Sequence, residues 1–133
     1  MEIQKTVFQV IDFDKSTSVI KNFWTLDTAQ MTESDFKEEI VSFENAIKKY
    51  RPQLILGVIT DLRFPISVDL QTWIANGLFQ TIATTGVKKY AVIVSKDILV
   101  QLSAEQTIEE DVSQAFVTKY FDNEDTGLGW LLK

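Results

Sequence analysis

Two short runs in the chain are apolar at almost every position, residues 54–59 and residues 90–94. A strand with one face in water alternates apolar and polar residues, whereas a strand covered on both faces does not. Runs of five or six residues between polar segments fit strands better than helices. The pattern therefore predicts a parallel sheet whose central strands are covered on both faces, which is typical of an α/β fold.

The segment before the first run carries the clearest helix pattern. Thr32 is a favoured N-cap with Asp35 three residues later, which approximates a capping box. Pro52 cannot continue a helix and marks its end. Apolar side chains recur at steps of three and four residues and form one stripe: Phe36, Ile40, Phe43, Ile47 and Tyr50.

A second helix is predicted between the two runs. Ser67 can cap its start, and Gly86 suits the left-handed conformation that ends many helices. The expected inner stripe is Leu70, Trp73, Ile74, Gly77, Leu78 and Ile82. After the second run, Ile98 and Leu102 predict a short helix, and Ser103 with Gln106 predicts a cap at which a helix restarts.

The two ends of the chain complete the predicted fold. Residues 6–13 and 17–26 read as strands joined by a hairpin turn at 14–16, and residues 115–121 read as the last strand. In the second strand, Val19, Lys21 and Phe23 share one face, and Ile20, Asn22 and Trp24 share the other. Residues 122–133 read as a closing helix that packs Leu128, Leu131 and Leu132.

The predicted architecture is one α/β domain spanning residues 1–133. An N-terminal β-hairpin is followed by strand-helix turns that form a mostly parallel, mixed sheet of about five strands with four to five helices. The second face of this sheet needs a cover, since large exposed apolar patches are rare on monomers. The hairpin and last helix, a second copy of the chain, or a bound apolar molecule could each supply it.

The composition restricts the chemistry. The chain has no cysteine and no histidine, the side chains most used for nucleophilic catalysis, proton transfer and transition-metal binding. The net charge of −6 disfavours nucleic acid as a partner. Apolar stretches are only strand-sized, and the first residues do not resemble a signal peptide. We therefore expect a cytoplasmic protein that is not an enzyme, needs no cofactor and does not span a membrane.

The carboxyl ends of parallel strands are where ligands usually bind in open α/β sheets. Residues 60–63, 95–97 and 122–125 should meet at this edge, which makes it acidic. The opposite edge should be basic, with Lys48, Lys49, Arg51, Lys88 and Lys89. One interpretation is that these charges complement the helix dipoles. The other is a divalent-metal or phosphoryl site built from Asp61, Asp97 and Asp122.

The strand-to-helix junction, residues 61–67, is the most informative stretch. Asp61 and Arg63 point to opposite faces if the strand continues, and could act together if it has turned. Arg63 beside Phe64 forms an anchor of the kind that protein interfaces favour. Ser67 is either a helix cap or a phosphorylation site at the positive end of a helix dipole.

With this order of elements, the chain resembles the STAS superfamily, and more narrowly the small stand-alone bacterial proteins grouped as SpoIIAA-like or STAS/SEC14-like. The resemblance covers nearly the whole chain. It rests on the element order and on four segments: Thr60-Asp61-Leu62-Arg63, Ser67-Val68-Asp69-Leu70-Gln71-Thr72-Trp73-Ile74, Gly86-Val87-Lys88-Lys89-Tyr90-Ala91-Val92 and Tyr120-Phe121-Asp122-Asn123-Glu124.

The resemblance implies a domain without enzymatic activity that docks a partner or ligand. Members of the anti-sigma type are phosphorylated on a serine at the start of the matching helix, within Asp-Ser-Ser-Gly or a close relative. Ser67 matches by position only, because residues 65–69 read Pro-Ile-Ser-Val-Asp. The SEC14-like branch implies a small apolar ligand.

The first functional hypothesis is a non-catalytic regulatory or protein-interaction domain whose partner is unknown, with a homodimer as one expected assembly. Its expected surface comprises Asp61, Arg63, Phe64, Ser67, Ser95 and Asp97. The second is a carrier of a small apolar, lipid-like ligand. The third is a metal-dependent phosphoryl-transfer or hydrolytic enzyme that uses the three aspartates named above.

Overall fold

The strands form one six-stranded sheet in the computed structural model, which describes residues 1–104 and 115–133. The strands are β1 (Glu2–Lys5), β2 (Gln9–Asp14), β3 (Val19–Trp24), β4 (Leu54–Val58), β5 (Lys89–Ile93) and β6 (Val117–Phe121). They lie side by side in chain order. Strands β1, β2 and β3 pair antiparallel, and β3, β4, β5 and β6 pair parallel. The predicted mixed α/β sheet is confirmed.

The sheet has six strands rather than the predicted five, because β1 precedes the expected hairpin. This edge strand is short and mostly polar, so it carries no apolar alternation that could reveal it. Thr6 lies in the turn after β1 instead of in a strand. Its hydroxyl oxygen accepts hydrogen bonds from the amides of Phe8 and Gln9, both at 3.1 Å. Such local bonds favour turns over strands.

The hairpin turn between β2 and β3 spans residues 15–18 instead of the predicted 14–16, because Asp14 still pairs with Val19 and β3 begins only there. Asp14 accepts hydrogen bonds from the Ser16 hydroxyl at 2.7 Å and from the Ser16 amide at 3.0 Å. The bond from the hydroxyl is the main reason that the pKa of Asp14 lies below its ordinary value. Ser18, at a φ of 61°, completes the reversal.

Four helices follow the hairpin in the described parts of the chain, preceded by a 3-10 segment at Leu26–Gln30. They are α1 (Glu33–Tyr50); α2, a continuous helix made of Val68–Ile74, a π-helical turn at Ala75–Phe79, and Gln80–Thr84; α3 (Lys96–Ala104); and α4 (Glu124–Leu131). Thr32 and Asp35 form the predicted capping box. Gly86, at a φ of 98°, follows α2 in the expected positive-φ conformation.

Helices α1 and α2 cover the first face of the sheet. Both helices turn their predicted stripes inward, and Trp73 is half-buried at the margin. The main members of this core are Ile11, Phe13, Ile20, Trp24, Phe36, Ile40, Phe43, Ile47, Ile55, Leu70, Ile74, Leu78 and Ile82. The 3.6-residue periodicity thus correctly identified the buried side of each helix.

Helix α4 covers the second face, over the parallel strands. The core there comprises Val19, Leu56, Val58, Ala91, Ile93, Phe121 and Leu131. The hairpin does not help to cover this face, because β1 and β2 extend the sheet sideways instead. Towards β2 the second face is more polar, with Asp12 directly opposite Lys21 of β3. The last helix therefore supplies the cover that the apolar strands require.

Leu132 corrects one expectation for this helix. It does not pack on the sheet, since 49% of its surface is exposed, whereas Leu131 is 2% exposed. Helix α4 ends at Leu131, so the last turn no longer directs Leu132 inward. Trp130 is half-buried, and its ring packs against Phe121 with 5.7 Å between the ring centroids.

One prediction lies outside the described residues. The cap at Ser103 with Gln106, and the helix restart there, involve the side chain of Ser103 and residues beyond 104. None of the helices within residues 1–104 and 115–133 combines the length and hydropathy needed to cross a membrane.

Truncating Leu131 tests whether α4 is the cover of the second face. Leu131→Ala removes a side chain packed between helix and sheet, and should lower the free energy of unfolding by about 2–5 kcal/mol. Leu132→Ala is the matched control and should change it by less than about 0.5 kcal/mol. Urea unfolding followed by circular dichroism measures both. Equal effects of the two substitutions would contradict the packing of α4 described here.

Candidate functional site

The junction, residues 61–67, follows the point at which the chain leaves the sheet after β4. The Ile59 amide still donates to the carbonyl of Ile93, at 3.0 Å. The chain then turns, and the Leu62 amide donates back to the carbonyl of Ile59 at 3.1 Å. Asp61 and Arg63 therefore lie in a turned loop, not on opposite faces of a continuing strand.

A buried hydroxyl fixes the backbone of the junction. Thr28, in the 3-10 segment, has no exposed surface. Its Oγ1 donates to the carbonyl of Thr25 at 2.8 Å and accepts from the Arg63 amide, also at 2.8 Å. The carbonyl oxygen of Asp61 lies 3.4 Å from the same hydroxyl oxygen. One side chain thus ties two segments together that are 35 residues apart in the chain.

The aromatic side chain of the junction packs inward. Phe64 is half-buried, and its ring stacks on Phe36 of α1 with 4.9 Å between the ring centroids. Phe36 stacks in turn on Trp24 of β3 at 5.9 Å. Arg63 remains exposed, and its Nη1 donates to the carbonyl of Thr60 at 3.1 Å. The two residues of the predicted anchor therefore differ: Phe64 holds the loop to the core, and Arg63 is exposed to solvent.

Three helices start at the same edge of the sheet, each with a capping side chain. The Ser67 Oγ accepts from the Leu70 amide at 3.2 Å, the Ser95 Oγ from the Ile98 amide at 3.3 Å, and the Asn123 Oδ1 from the Thr126 amide at 2.8 Å. These residues follow β4, β5 and β6, whose carboxyl ends meet because the strands are parallel. The predicted capping role of Ser67 is confirmed.

A shallow cleft of about 570 Å³ lies at this edge, between the junction and the start of α4. It is lined by Phe23, Val58, Thr60, Asp61, Ile93, Asp122, Asn123, Glu124 and Asp125. The cleft has an apolar floor supplied by strand residues and an acidic rim. Lys21 reaches this rim from β3 and pairs with Glu124 at 2.7 Å between Nζ and Oε1.

The structure brings only some of the predicted site residues together. Asp61 and Asp122 both line the cleft, whereas Asp97 does not and is exposed in the first turn of α3. The described portion of the chain holds no group of three or more acidic side chains placed to share a metal ion. The predicted three-aspartate set is therefore not assembled, and the metal-site interpretation gains no support from the geometry.

The helix-dipole interpretation fits part of these charges, and also fits Asp69. Asp69, Asp97 and Glu124 lie in the first turns of α2, α3 and α4, and Lys48 and Lys49 lie in the last turn of α1. A negative charge in the first turn or a positive charge in the last turn stabilises a helix by about 0.3–1 kcal/mol. At the basic edge, Lys89 also has a local role, because its Nζ donates to the carbonyl of Trp130 at 3.0 Å.

Sequence reasoning missed Thr28, and it missed that Lys21 pairs with Glu124 at the acidic edge. Both Thr28 and Lys21 act through contacts with distant parts of the chain. No local pattern identifies such partners. A threonine in a short polar segment is ordinary, and only the fold brings its hydroxyl under Arg63.

Comparisons with known proteins identify no relative: the chain matches no protein-family profile, no curated protein and no solved structure.

Removing the Thr28 hydroxyl should loosen the junction. Thr28→Val keeps the shape of the side chain but leaves the Arg63 amide without its acceptor, which should cost about 1–3 kcal/mol of unfolding free energy. Hydrogen exchange of the Arg63 amide should accelerate at the same time. Thr84→Val, at an exposed hydroxyl that bonds only within its own helix, is the control. An unchanged exchange rate at Arg63 would refute the role given to Thr28.

Substitutions at Ser67 test whether its side chain acts as an N-cap that another acceptor can replace, or whether the position requires a serine. Ser67→Ala removes the acceptor for the Leu70 amide and should lower stability by about 1 kcal/mol. Ser67→Asp keeps an acceptor beside the positive end of the helix dipole and should stay within about 0.5 kcal/mol of the original chain. Thermal unfolding measures both. A loss in Ser67→Asp as large as that in Ser67→Ala would contradict the capping role.

Proposed function

We propose that this chain is a non-catalytic regulatory or interaction domain that docks a protein partner at the junction. The observation that carries the proposal is that Arg63 combines an exposed side chain with a fixed backbone. Its side chain is exposed, while its backbone is held by the buried Thr28 hydroxyl and by the neighbouring stacked Phe64. Arginine is among the residues that most often dominate binding energy at protein interfaces.

A fixed backbone makes such a residue more effective. Binding loses free energy whenever a loop must be ordered on contact, and a loop ordered beforehand avoids that loss. The junction satisfies this condition through bonds to two elements of the core, the 3-10 segment and α1. Its exposed guanidinium then needs only a carboxylate or a carbonyl group on the partner.

Apolar side chains exposed near the junction supply further contact area. Leu26, two residues before Thr28, is 58% exposed, and Val7 is 64% exposed. The two are close, because the Thr25 hydroxyl donates to the carbonyl of Val7 at 2.6 Å. A partner with a carboxylate for Arg63 and an apolar side chain for Leu26 and Val7 fits this surface. That partner is a different protein or a second copy of this chain.

The resemblance to STAS-like proteins supports the same location, because it implies docking near the same strand-to-helix junction. Switching by phosphorylation is not part of the proposal, since Ser67 lacks the Ser-Gly context and its hydroxyl oxygen caps α2. A carrier of an apolar ligand is less well supported. One reason for expecting such a ligand was the uncovered face of the sheet, and α4 covers that face over the parallel strands.

Arg63→Ala tests the proposal directly. Partner capture from host extract should weaken about tenfold, which corresponds to about 1.4 kcal/mol of binding free energy. The thermal midpoint should hardly change, because the Arg63 side chain bonds only to a nearby carbonyl. Lys15→Ala, an exposed cation in the hairpin turn at the opposite edge, is the control. Native mass spectrometry of the captured complex then shows whether the partner is a second copy of the chain. Undiminished capture by Arg63→Ala would defeat the proposal.

A further inference from the structure

Helix α2 carries almost no charge. Asp69, in its first turn, is the only charged residue between Val68 and Thr84. Helix α1, by contrast, carries charges of both signs from Glu33 to Lys49, and 24% of the residues in the whole chain are charged. Charged residues normally share the exposed side of a helix with polar ones. The outer side of α2 is therefore unusually free of charge.

The exposed residues of α2 include apolar side chains. Val68 is 75% exposed and Phe79 is 41% exposed. The centres of protein interfaces are depleted of charged residues and enriched in aromatic ones, so this composition is typical of an interface. We call the uncharged exposed residues of this helix the α2 face; they are Val68, Gln71, Thr72, Ala75, Asn76, Phe79, Gln80 and Thr84.

The π-helical turn keeps the α2 face straight. On the inner side of the helix, Leu70, Ile74, Leu78 and Ile82 are buried at steps of four residues. In a regular α-helix each such step turns by about 40°, so a row of this spacing would wind around the helix. The π-turn has i→i+5 hydrogen bonds and holds more residues per turn, which offsets much of this rotation. The exposed residues are kept in line in the same way, and the α2 face runs along the whole helix.

The net charge of the chain restricts what can bind this face. Each copy carries a charge of −6, so two copies repel each other except where their contact surfaces lack like charges. A two-fold interface also brings side chains near the axis against their own copies. Asparagine and glutamine can pair with their own kind, because each amide both donates and accepts, whereas a charged side chain cannot. The α2 face, with Gln71, Asn76 and Gln80, meets both conditions for binding a copy of itself.

We infer that the α2 face binds the α2 face of a second copy of this chain, as an antiparallel helix pair about a two-fold axis near Ala75. The small side chain of Ala75 lets the two helices approach closely, and Phe79 of each copy packs near Gln71 of the other. The two Asp69 side chains lie on opposite sides of the axis, about 18 Å apart for a rise of about 1.5 Å per residue. This separation exceeds the screening length of about 8 Å in physiological salt, so the two charges barely repel each other.

Analytical ultracentrifugation of the purified chain tests the inference. At micromolar concentration the expected mass is that of two chains of 15.2 kDa each. Added salt should leave the dimer unchanged or strengthen it, because salt screens the repulsion between two negative copies and the interface has no ion pairs to lose. A monomer throughout the micromolar range, or a dimer that salt dissociates, would overturn the inference.

Matched variants locate the interface. Asn76→Lys places two like charges beside the axis and should weaken the dimer at least about a hundredfold. Asn45→Lys makes the same change at an exposed asparagine of α1 and should leave the dimer intact. Circular dichroism checks that each variant is folded. If Asn76→Lys does not fold, Phe79→Ser serves in its place, since removing the exposed ring should weaken the dimer about tenfold.

The interface goes beyond the docking proposed at the junction, because it does not use the Arg63 side chain. Arg63→Ala should therefore leave the dimer intact while weakening capture of the junction's partner, so that the two proposals can fail separately. A dimer that withstands both Asn76→Lys and Phe79→Ser, or one that Arg63→Ala dissociates, shows that the copies meet elsewhere and refutes the inference.

Discussion

The structure depends on one requirement: the parallel strands β4 and β5 are apolar on both faces and must be covered twice. Connections between neighbouring parallel strands have one hand, so successive connecting helices collect on one face. Helices α1 and α2 cover the first face in this way, and α4 returns after β6 to cover the second. The same order of strands makes α2, α3 and α4 all begin at one edge. The cover of the sheet and the position of the site therefore have a common origin.

This requirement explains which parts of the fold were predictable. The continuous apolar runs and the stripe from Phe36 to Tyr50 report burial directly, so the parallel strands and α1 were found from sequence. Strand β1 was missed because an exposed polar edge strand has no periodic signal. Leu132 was misassigned because helical periodicity cannot tell where the last turn of α4 ends. Local patterns thus identify buried faces well and element ends poorly.

The sequence predicted which edge of the sheet carries the candidate site residues, but not how their side chains are arranged. Ser67 and Ser95 cap helices at the expected edge, since capping is a local interaction with a clear sequence preference. Which carboxylates meet depends on the turns after each strand, and there Asp61 and Asp122 share a cleft without Asp97. The bond from the Arg63 amide to Thr28, and the stacking of Phe64 on Phe36, arise only from tertiary packing. These contacts turn an ordinary loop into an ordered surface, which is the basis for proposing that it docks a partner.

The central claim is that the junction is ordered before any partner arrives, and backbone ¹⁵N relaxation of the free protein tests it most directly. The account predicts an order parameter for the Arg63 amide close to that of the sheet, about 0.85. An order parameter below about 0.6 would show a flexible loop and would contradict the account.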